Sequence, residues 1–519
     1  MAANVELEFP LAREPRMIHV EELRGLCNRE VLPAHSSATT RMPETDTTEW
    51  EANQSRRIVI VGAGVFGLST ALHLARRGYK DVTLFDYQPY DKNGYACSEG
   101  CDAASADENK ILRASYGDRK LYQDLAFEAI KEWERWNQQV KTCPRLPPGV
   151  SNTDRLWENC GFLRIGDDGL EQEEINTQTS FPEQLRSTQY RITDEARVRA
   201  ATMGGVPLSK LDPFKRKERG LKTDGVFDST AGYVLASKAC SWALQLCQDS
   251  GVKLQLGEHG RFKSYIDRDG QVIGIVTAND ESHRADLVIV AAGGWTPALV
   301  PEVDQTLETT AGSVVTVRLP QSRPDLWEKY SPANFPVWSW NMGRYRPSGD
   351  VVGGLYGFPR SPDGISKLGF RGAKWTNYTH RNAADRLVSY PKTDVQDIPA
   401  RAMSVVQRFC EENMPDLLQL PWDRGRLCWY TDSVDNSFLV DYVPSRPGLM
   451  VASGGSGHGF KFLPVLGSHV VDVIERKETE YTRMFARRDV PSGRRNGLEE
   501  GPEGWRTLVK QVPARDLKL

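Results

Sequence analysis

The chain has no long hydrophobic run, no excess of one charge and no clustered cysteines or histidines, and each lack removes a class of function. Its longest apolar stretches, such as residues 287–292, fall far short of the ~20 residues that span a bilayer. No membrane-spanning helix and no membrane partner are expected. Lys and Arg number 66 against 69 Asp and Glu, without the basic excess that a phosphate backbone demands, so nucleic acid is not an expected partner. The nine cysteines are scattered and odd in number, and no Cys-x-x-Cys pair accompanies a histidine cluster. Neither a disulfide framework nor a metal site is expected. Glu6, Glu8 and Glu14 stand where a secretory signal would place positive charge and an apolar core, which argues for an intracellular chain. No internal repeat is present. A small molecule is the partner left.

The length, 519 residues, allows two to four domains at roughly 100–200 residues each. Residues 1–54 are polar and irregular and read as a disordered extension. Order begins at Ile58-Val59-Ile60-Val61, a continuous β-branched run of the kind that forms a strand covered on both faces of a parallel sheet. A helix follows, with Leu68, Ala71, Leu72 and Ala75 at three- and four-residue spacing and Gly78 as its stop, and then a strand over 82–86. Further helices are expected near 121–138, 233–249, 400–413 and 464–475. Strands are expected at 252–256, 262–267, 272–278, 287–292, 313–319 and 351–356. Residues 145–224 are rich in Pro, Gly and charge; they show no long period and no recognisable chemistry. After residue 477 the chain is charged and loop-like.

Gly62-Ala63-Gly64-Val65-Phe66-Gly67 lies between the first strand and helix. Glycines fall where the strand must turn tightly, where backbone must approach a pyrophosphate, and where helix must pack on strand. The positive end of the helix dipole then faces the phosphates. Asp86, at the end of the second strand, can accept a hydrogen bond from a ribose 2′-hydroxyl and would repel a 2′-phosphate. This leaves FAD and NAD open. Two more glycine clusters follow strands, at Gly293-Gly294 and across Gly454–Phe462, and one long FAD touching three separated points accounts for all of them.

The combination of Val61–Gly67, Asp86, Lys110-Ile-Leu-Arg113-Ala-Ser-Tyr116-Gly117, Tyr356-Gly-Phe-Pro359, Lys367-Leu-Gly369, Leu427-Cys428-Trp429-Tyr430-Thr431 and Ser456-Gly-His-Gly-Phe-Lys461-Phe462 resembles the monomeric sarcosine oxidase family. Fructosyl amino acid oxidases and saccharopine-type oxidases are its close branches. The likeness runs from about Arg57 to Arg476 and implies an α/β (mixed α+β) fold. An FAD-binding Rossmann-like domain (55–144, 225–297 and 434–480) is interleaved with a substrate domain (145–224 and 298–433) built on a mixed, largely antiparallel sheet. Residues 481–519 remain as a C-terminal tail.

The resemblance also implies roles. FAD would be held by Gly62, Ala63, Gly64, Val65, Phe66, Gly67, Asp86, Gly293, Gly455, Gly457, His458, Gly459, Phe460 and Lys461, with Cys428 bonded covalently to the flavin, a task suited to a soft thiolate. Arg113 and Lys461 would clamp the substrate carboxylate, the first as a planar fork and the second as a point charge. Lys367 would supply positive charge where oxygen accepts its first electron. Lys110 would stabilise the reduced, anionic ring. Tyr430 joins these two in the catalytic set, and Tyr356 lines the substrate pocket.

Two positions depart from the family. Ala106 and Arg371 stand where sarcosine oxidases carry histidines, so the pocket is not that of a sarcosine enzyme. Arg113 is a residue that fructosyl oxidases usually lack, which puts a sugar-amine substrate in doubt. Arg371 hints at a second acidic group or a larger polar substituent on the substrate. The expected activity is oxidation of an N-substituted amino acid to an imine, with O₂ reduced to hydrogen peroxide. The alternatives are a dehydrogenase using another acceptor and a non-catalytic flavin-binding protein. A monomer is expected, located in the cytosol or, through the weak Leu517-Lys518-Leu519 address, in the peroxisome.

Overall fold

The computed structural model describes residues 54–167, 169–342, 353–393, 397–423, 425–489 and 501–516. The expectations for residues 1–53 and for the last three residues lie outside these.

The β-branched run forms strand β1 (Arg57–Val61), flanked in parallel by β2 (Asp81–Asp86) and by the strand Leu287–Val290. The sheet extends in parallel to Lys253–Leu256 on one side and to Leu449–Ser453 on the other, and ends on antiparallel Leu439–Tyr442. Both faces of β1 are covered, as a strand with two alternating apolar sets requires. Ile58 and Ile60 belong to the larger core, with Leu68, Ala71 and Leu72 of helix α1 (Val65–Arg76) and Val470 and Ile474 of the helix Leu466–Ile474. Val59 and Val61 pack on the other side with Val288, Val290, Val272 and Ile275. The last two come from a three-stranded antiparallel meander.

The substrate side is an eight-stranded sheet. Its order is Arg426–Ser433, Leu307–Arg318, Ile365–Trp375, Leu355–Gly357, Val337–Trp340, Phe162–Gly166, Asp224–Asp228 and Gln189–Arg191. Every pairing is antiparallel except that of Val337–Trp340 with Phe162–Gly166, so the sheet is mixed and largely antiparallel. The chain contributes to the first sheet, then the second, returns to the first at Lys253–Leu256, returns to the second at Leu307–Arg318, and completes the first with Leu449–Ser453. Neither sheet comes from one continuous stretch.

Three details differ from the sequence reading. Asp224–Asp228, placed with the nucleotide segment from residue 225, pairs inside the eight-stranded sheet. Residues 233–235, read as the start of a helix, belong to the strand Gly232–Leu235 on Asn109–Leu112, and the helix is Ala236–Asp249. The apolar run there is ambiguous by period alone; pairing with a neighbouring strand decides it. Residues 501–516, read as loose tail, are docked. Trp505 meets Trp375 edge-on at 6.0 Å, Arg506 donates to the Lys374 carbonyl at 2.8 Å, and Ala514 joins the core of the second sheet.

Gly62 and Gly67 set how closely β1, α1 and the Leu287–Val290 strand approach. Gly62 has φ +110°, and a Cβ there would lie 2.5 Å from the Ala291 carbonyl oxygen; a Cβ on Gly67 would lie 1.8 Å from the Gly62 oxygen. We expect Gly67→Ala to push α1 from the strand, destabilising the protein by about 1–3 kcal/mol and lowering the flavin content of purified protein. Thermal unfolding and the ratio of visible to ultraviolet absorbance check this.

Candidate active site

A cavity of about 850 Å³ opens where the two sheets meet, within the size range of small-molecule sites. Its wall includes Gly62, Gly64 and Asp86 from the first sheet and Tyr356, Lys367 and Cys428 from the second. The nucleotide end fits a dinucleotide. Helix α1 starts at Gly64, which has no side chain to cap it; the Val65 N–H donates to Ser105 Oγ at 3.1 Å, and the positive end of the helix borders the cavity where a phosphate would lie. A Cβ at Gly293 would meet no atom within 4 Å, and one at Gly64 would meet only the Ser105 hydroxyl, at 3.1 Å. Ligand can therefore lie directly on the backbone. Asp86 accepts the Ala63 N–H at 2.7 Å and the Gln88 N–H at 2.9 Å, which aims its carboxylate while leaving lone pairs for a ribose hydroxyl. Burial pushes its pKa up to about 6, against the pull of those two N–H groups. Ala63 and Gly67 themselves do not touch the cavity; they shape the turn.

Around the expected flavin position the organising group is one that the sequence reading missed. Asp107, 1 % exposed, receives Lys110 Nζ at 2.6 Å, Lys367 Nζ at 2.8 Å and Arg426 Nη2 at 2.7 Å. Burial alone would raise its pKa, but the three cations hold it far below the usual carboxylate range. Burial would likewise lower Lys110, yet Asp107 outweighs it and the ammonium titrates above its ordinary value. Lys367 is different. It is 1 % exposed and shares its carboxylate with Lys110 and Arg426, so burial prevails and its pKa falls to about 8. Lys110 Nζ also lies 3.6 Å from Cys428 Sγ.

The other cations form a second group. Lys461 Nζ donates to the Tyr116 hydroxyl at 2.9 Å and to the His458 carbonyl at 3.1 Å. Tyr116 in turn lies 3.0 Å from His458 Nδ1, and His458 Nε2 lies 2.8 Å from the Asn436 carbonyl. Nε2 therefore carries the proton, and Tyr116 donates to Nδ1. Burial holds both His458 and Lys461 well below their ordinary pKa values. Arg113 stacks over the Tyr116 ring at 4.8 Å and pairs with Glu173 at 2.9 Å. Arg371 donates to the Tyr430 hydroxyl at 3.0 Å and the Ser456 carbonyl at 3.2 Å; a Cβ on Gly457 would lie 2.5 Å from its guanidinium carbon. Gly369 plays the same part for Tyr356, whose ring would be 2.1 Å from a Cβ there.

The fold thus brings every sequence-nominated side chain except those of the turn residues Ala63 and Gly67 to one cavity. Missed were Asp107, Arg426, Tyr116, Glu173 and Arg164. The spacing Asp107-x-x-Lys110 was a signal for the first; Arg164 and Glu173 had none, because they stand in the segment without periodicity.

A two-sheet fold with a dinucleotide cradle, a cationic cluster and a thiol facing one cavity defines an FAD-dependent oxidoreductase. The chain belongs to the DAO family, FAD dependent oxidoreductase, which matches residues 57–473. The L-saccharopine oxidase of Schizosaccharomyces pombe is 26 % identical over 437 residues, covering 81 % of this chain and 90 % of that protein. The human peroxisomal sarcosine oxidase is 22 % identical over 434 residues, covering 82 % and 93 %. Among solved structures, a fructosyl peptide oxidase from E. terrenum superposes with a TM-score of 0.71 at 22 % identity, over 89 % of this chain and 98 % of that one. The family resemblance and the fold expected from the sequence are borne out.

Asp107→Asn leaves three cations facing each other without their shared anion. We expect a loss of about 3–5 kcal/mol, read by urea unfolding of the holoprotein.

Proposed function

We propose that this flavoenzyme oxidises the CH–NH bond of an N-substituted amino acid and passes the electrons to oxygen, releasing an imine and hydrogen peroxide. The observation that carries the reading is the pairing, in one cavity, of a carboxylate clamp (Arg113 and Lys461) with two lysines, Lys110 and Lys367, that the buried Asp107 holds behind the wall together with Arg426. The oxidase names of the relatives support it.

Bound FAD would supply the hydride acceptor and the route of electrons to oxygen. The protein's own part is binding, orientation and electrostatics. Arg113 and Lys461 take the α-carboxylate; its arrival offsets the burial that discharges Lys461 and favours the ammonium form. Arg371, fixed by Tyr430 and Ser456, keeps Tyr430 in place at the cavity wall. Lys367 presents a proton-bearing charge in a dry site, where a developing oxygen anion is otherwise costly. Cys428 would hold the flavin through a thioether to its 8α carbon, with Lys110 Nζ 3.6 Å from the sulfur.

Four outcomes test the reading. N-alkyl amino acids should bleach the flavin on anaerobic mixing and yield peroxide in air, and failure of a broad panel to do either would overturn it. With reduced enzyme, the rate of reoxidation should fall as pH rises through about 8, because Lys367 is cationic only below its pKa. Lys367→Met should cut that rate by about 100-fold or more and flatten the profile; an unchanged rate would remove the role given to this lysine. The yellow colour should stay with acid-precipitated protein and be released from Cys428→Ala.

A further inference from the structure

Arg164 has no assignment in the mechanism above. It lies on Phe162–Gly166, a central strand of the eight-stranded sheet, is 4 % exposed, and borders the cavity. None of its three guanidinium nitrogens has a hydrogen-bond partner among the described residues. The carboxylate within ion-pair range is Glu173, with Oε1 3.9 Å from Nη1, and Glu174 and Asp228 oppose the charge from further off. A guanidinium stays charged even where burial disfavours it, and a buried charge without acceptors is strongly unfavourable unless something else supplies them.

Glu173 shows what that something is. The same Oε1 lies 2.9 Å from Arg113 Nη1, so one carboxylate oxygen faces both arginines. Glu173 is the least buried member of the trio, with its side chain 43 % exposed, in the first turn of the helix Gln172–Ser180. It borders the same cavity. A carboxylate between the half-buried Arg113 and the buried Arg164 stands where a ligand carboxylate would bind. The reactive amino acid's own carboxylate is already provided for by Arg113 and Lys461, and Arg371 is held by Tyr430 and Ser456. Arg164 is surplus to a monocarboxylate.

We propose that Arg164 binds a second carboxylate on the substrate, displacing Glu173, so that the substrate is an N-substituted amino acid with two acidic groups. The inference rests on the oxidase reading for the identity of the reacting part, but the binding it asserts can be measured without turnover. Arg164 acts as a specificity residue, and Glu173 acts as an internal competitor that offsets part of the charge of the two arginines until substrate arrives.

The test uses the flavin-loaded protein and its visible spectrum, titrated with unreactive acids matched in chain length: succinate against butyrate, glutarate against valerate, adipate against hexanoate. At least one dicarboxylate should bind about tenfold or more tightly than its partner, as a charge-assisted hydrogen-bonded pair warrants. Arg164→Gln should abolish that preference while changing monocarboxylate affinity by no more than about twofold, and Arg164→Lys should restore part of it. Glu173→Gln should tighten dicarboxylate binding several-fold. The proposal is overturned if no dicarboxylate is preferred, if the preference survives Arg164→Gln, or if that variant weakens both kinds of acid alike. Should Arg164→Gln fail to retain flavin, the Glu173→Gln titration decides: unchanged or weaker dicarboxylate binding refutes the idea. Failure of the oxidase reading would appear instead as absence of peroxide with every amine, and would leave these titrations unaffected.

Discussion

The site depends on keeping positive charge in a place with little water, and the buried carboxylate of Asp107 makes that possible. Three cations converge on it, so the cluster retains a net positive charge while each member has an anionic neighbour. The sharing is unequal. Lys110 and Arg426 are raised above their ordinary pKa values and Lys367 is lowered, which separates two permanent charges from one that can gain or lose a proton near neutrality. One acid thereby sets the charge beside Cys428 and the charge that Lys367 presents to the cavity.

Much of the rest is the removal of side chains so that others can approach. Gly67 lets α1 rest on the turn, Gly369 gives its face to the Tyr356 ring, and Gly457 gives its face to Arg371. In each case an aromatic, a guanidinium or a backbone carbonyl occupies the volume of a missing Cβ. The glycine-rich motifs are therefore packing devices for the protein's own groups as much as cradles for a ligand.

How much of this was legible in the sequence follows from range. The first strand, helix and second strand are local, with the period and glycines written in consecutive residues, and they fold as read. The helix expected near 400–413 forms as Ala400–Asn413. Cys428, Lys367, Arg371 and Lys461 were found by motif, and they do converge. Asp107 was missed because its importance is a matter of partners 260 and 319 residues away, Lys367 and Arg426, which no local pattern reveals. Arg164 and Glu173 were missed for a stronger reason. Their segment has mixed composition and short elements, and the only sign of function is an absent hydrogen bond, which exists only once the chain is folded.

The alternation of the chain between its two sheets has a consequence for synthesis. The strand Leu449–Ser453 pairs with Leu287–Val290, and between them in sequence lie the long strands that hold Lys367 and Cys428. During translation the nucleotide sheet thus waits, with the Leu287–Val290 edge open, while most of the second sheet is made. The six-stranded sheet can be completed only after the strands that carry Lys367 and Cys428 have been made.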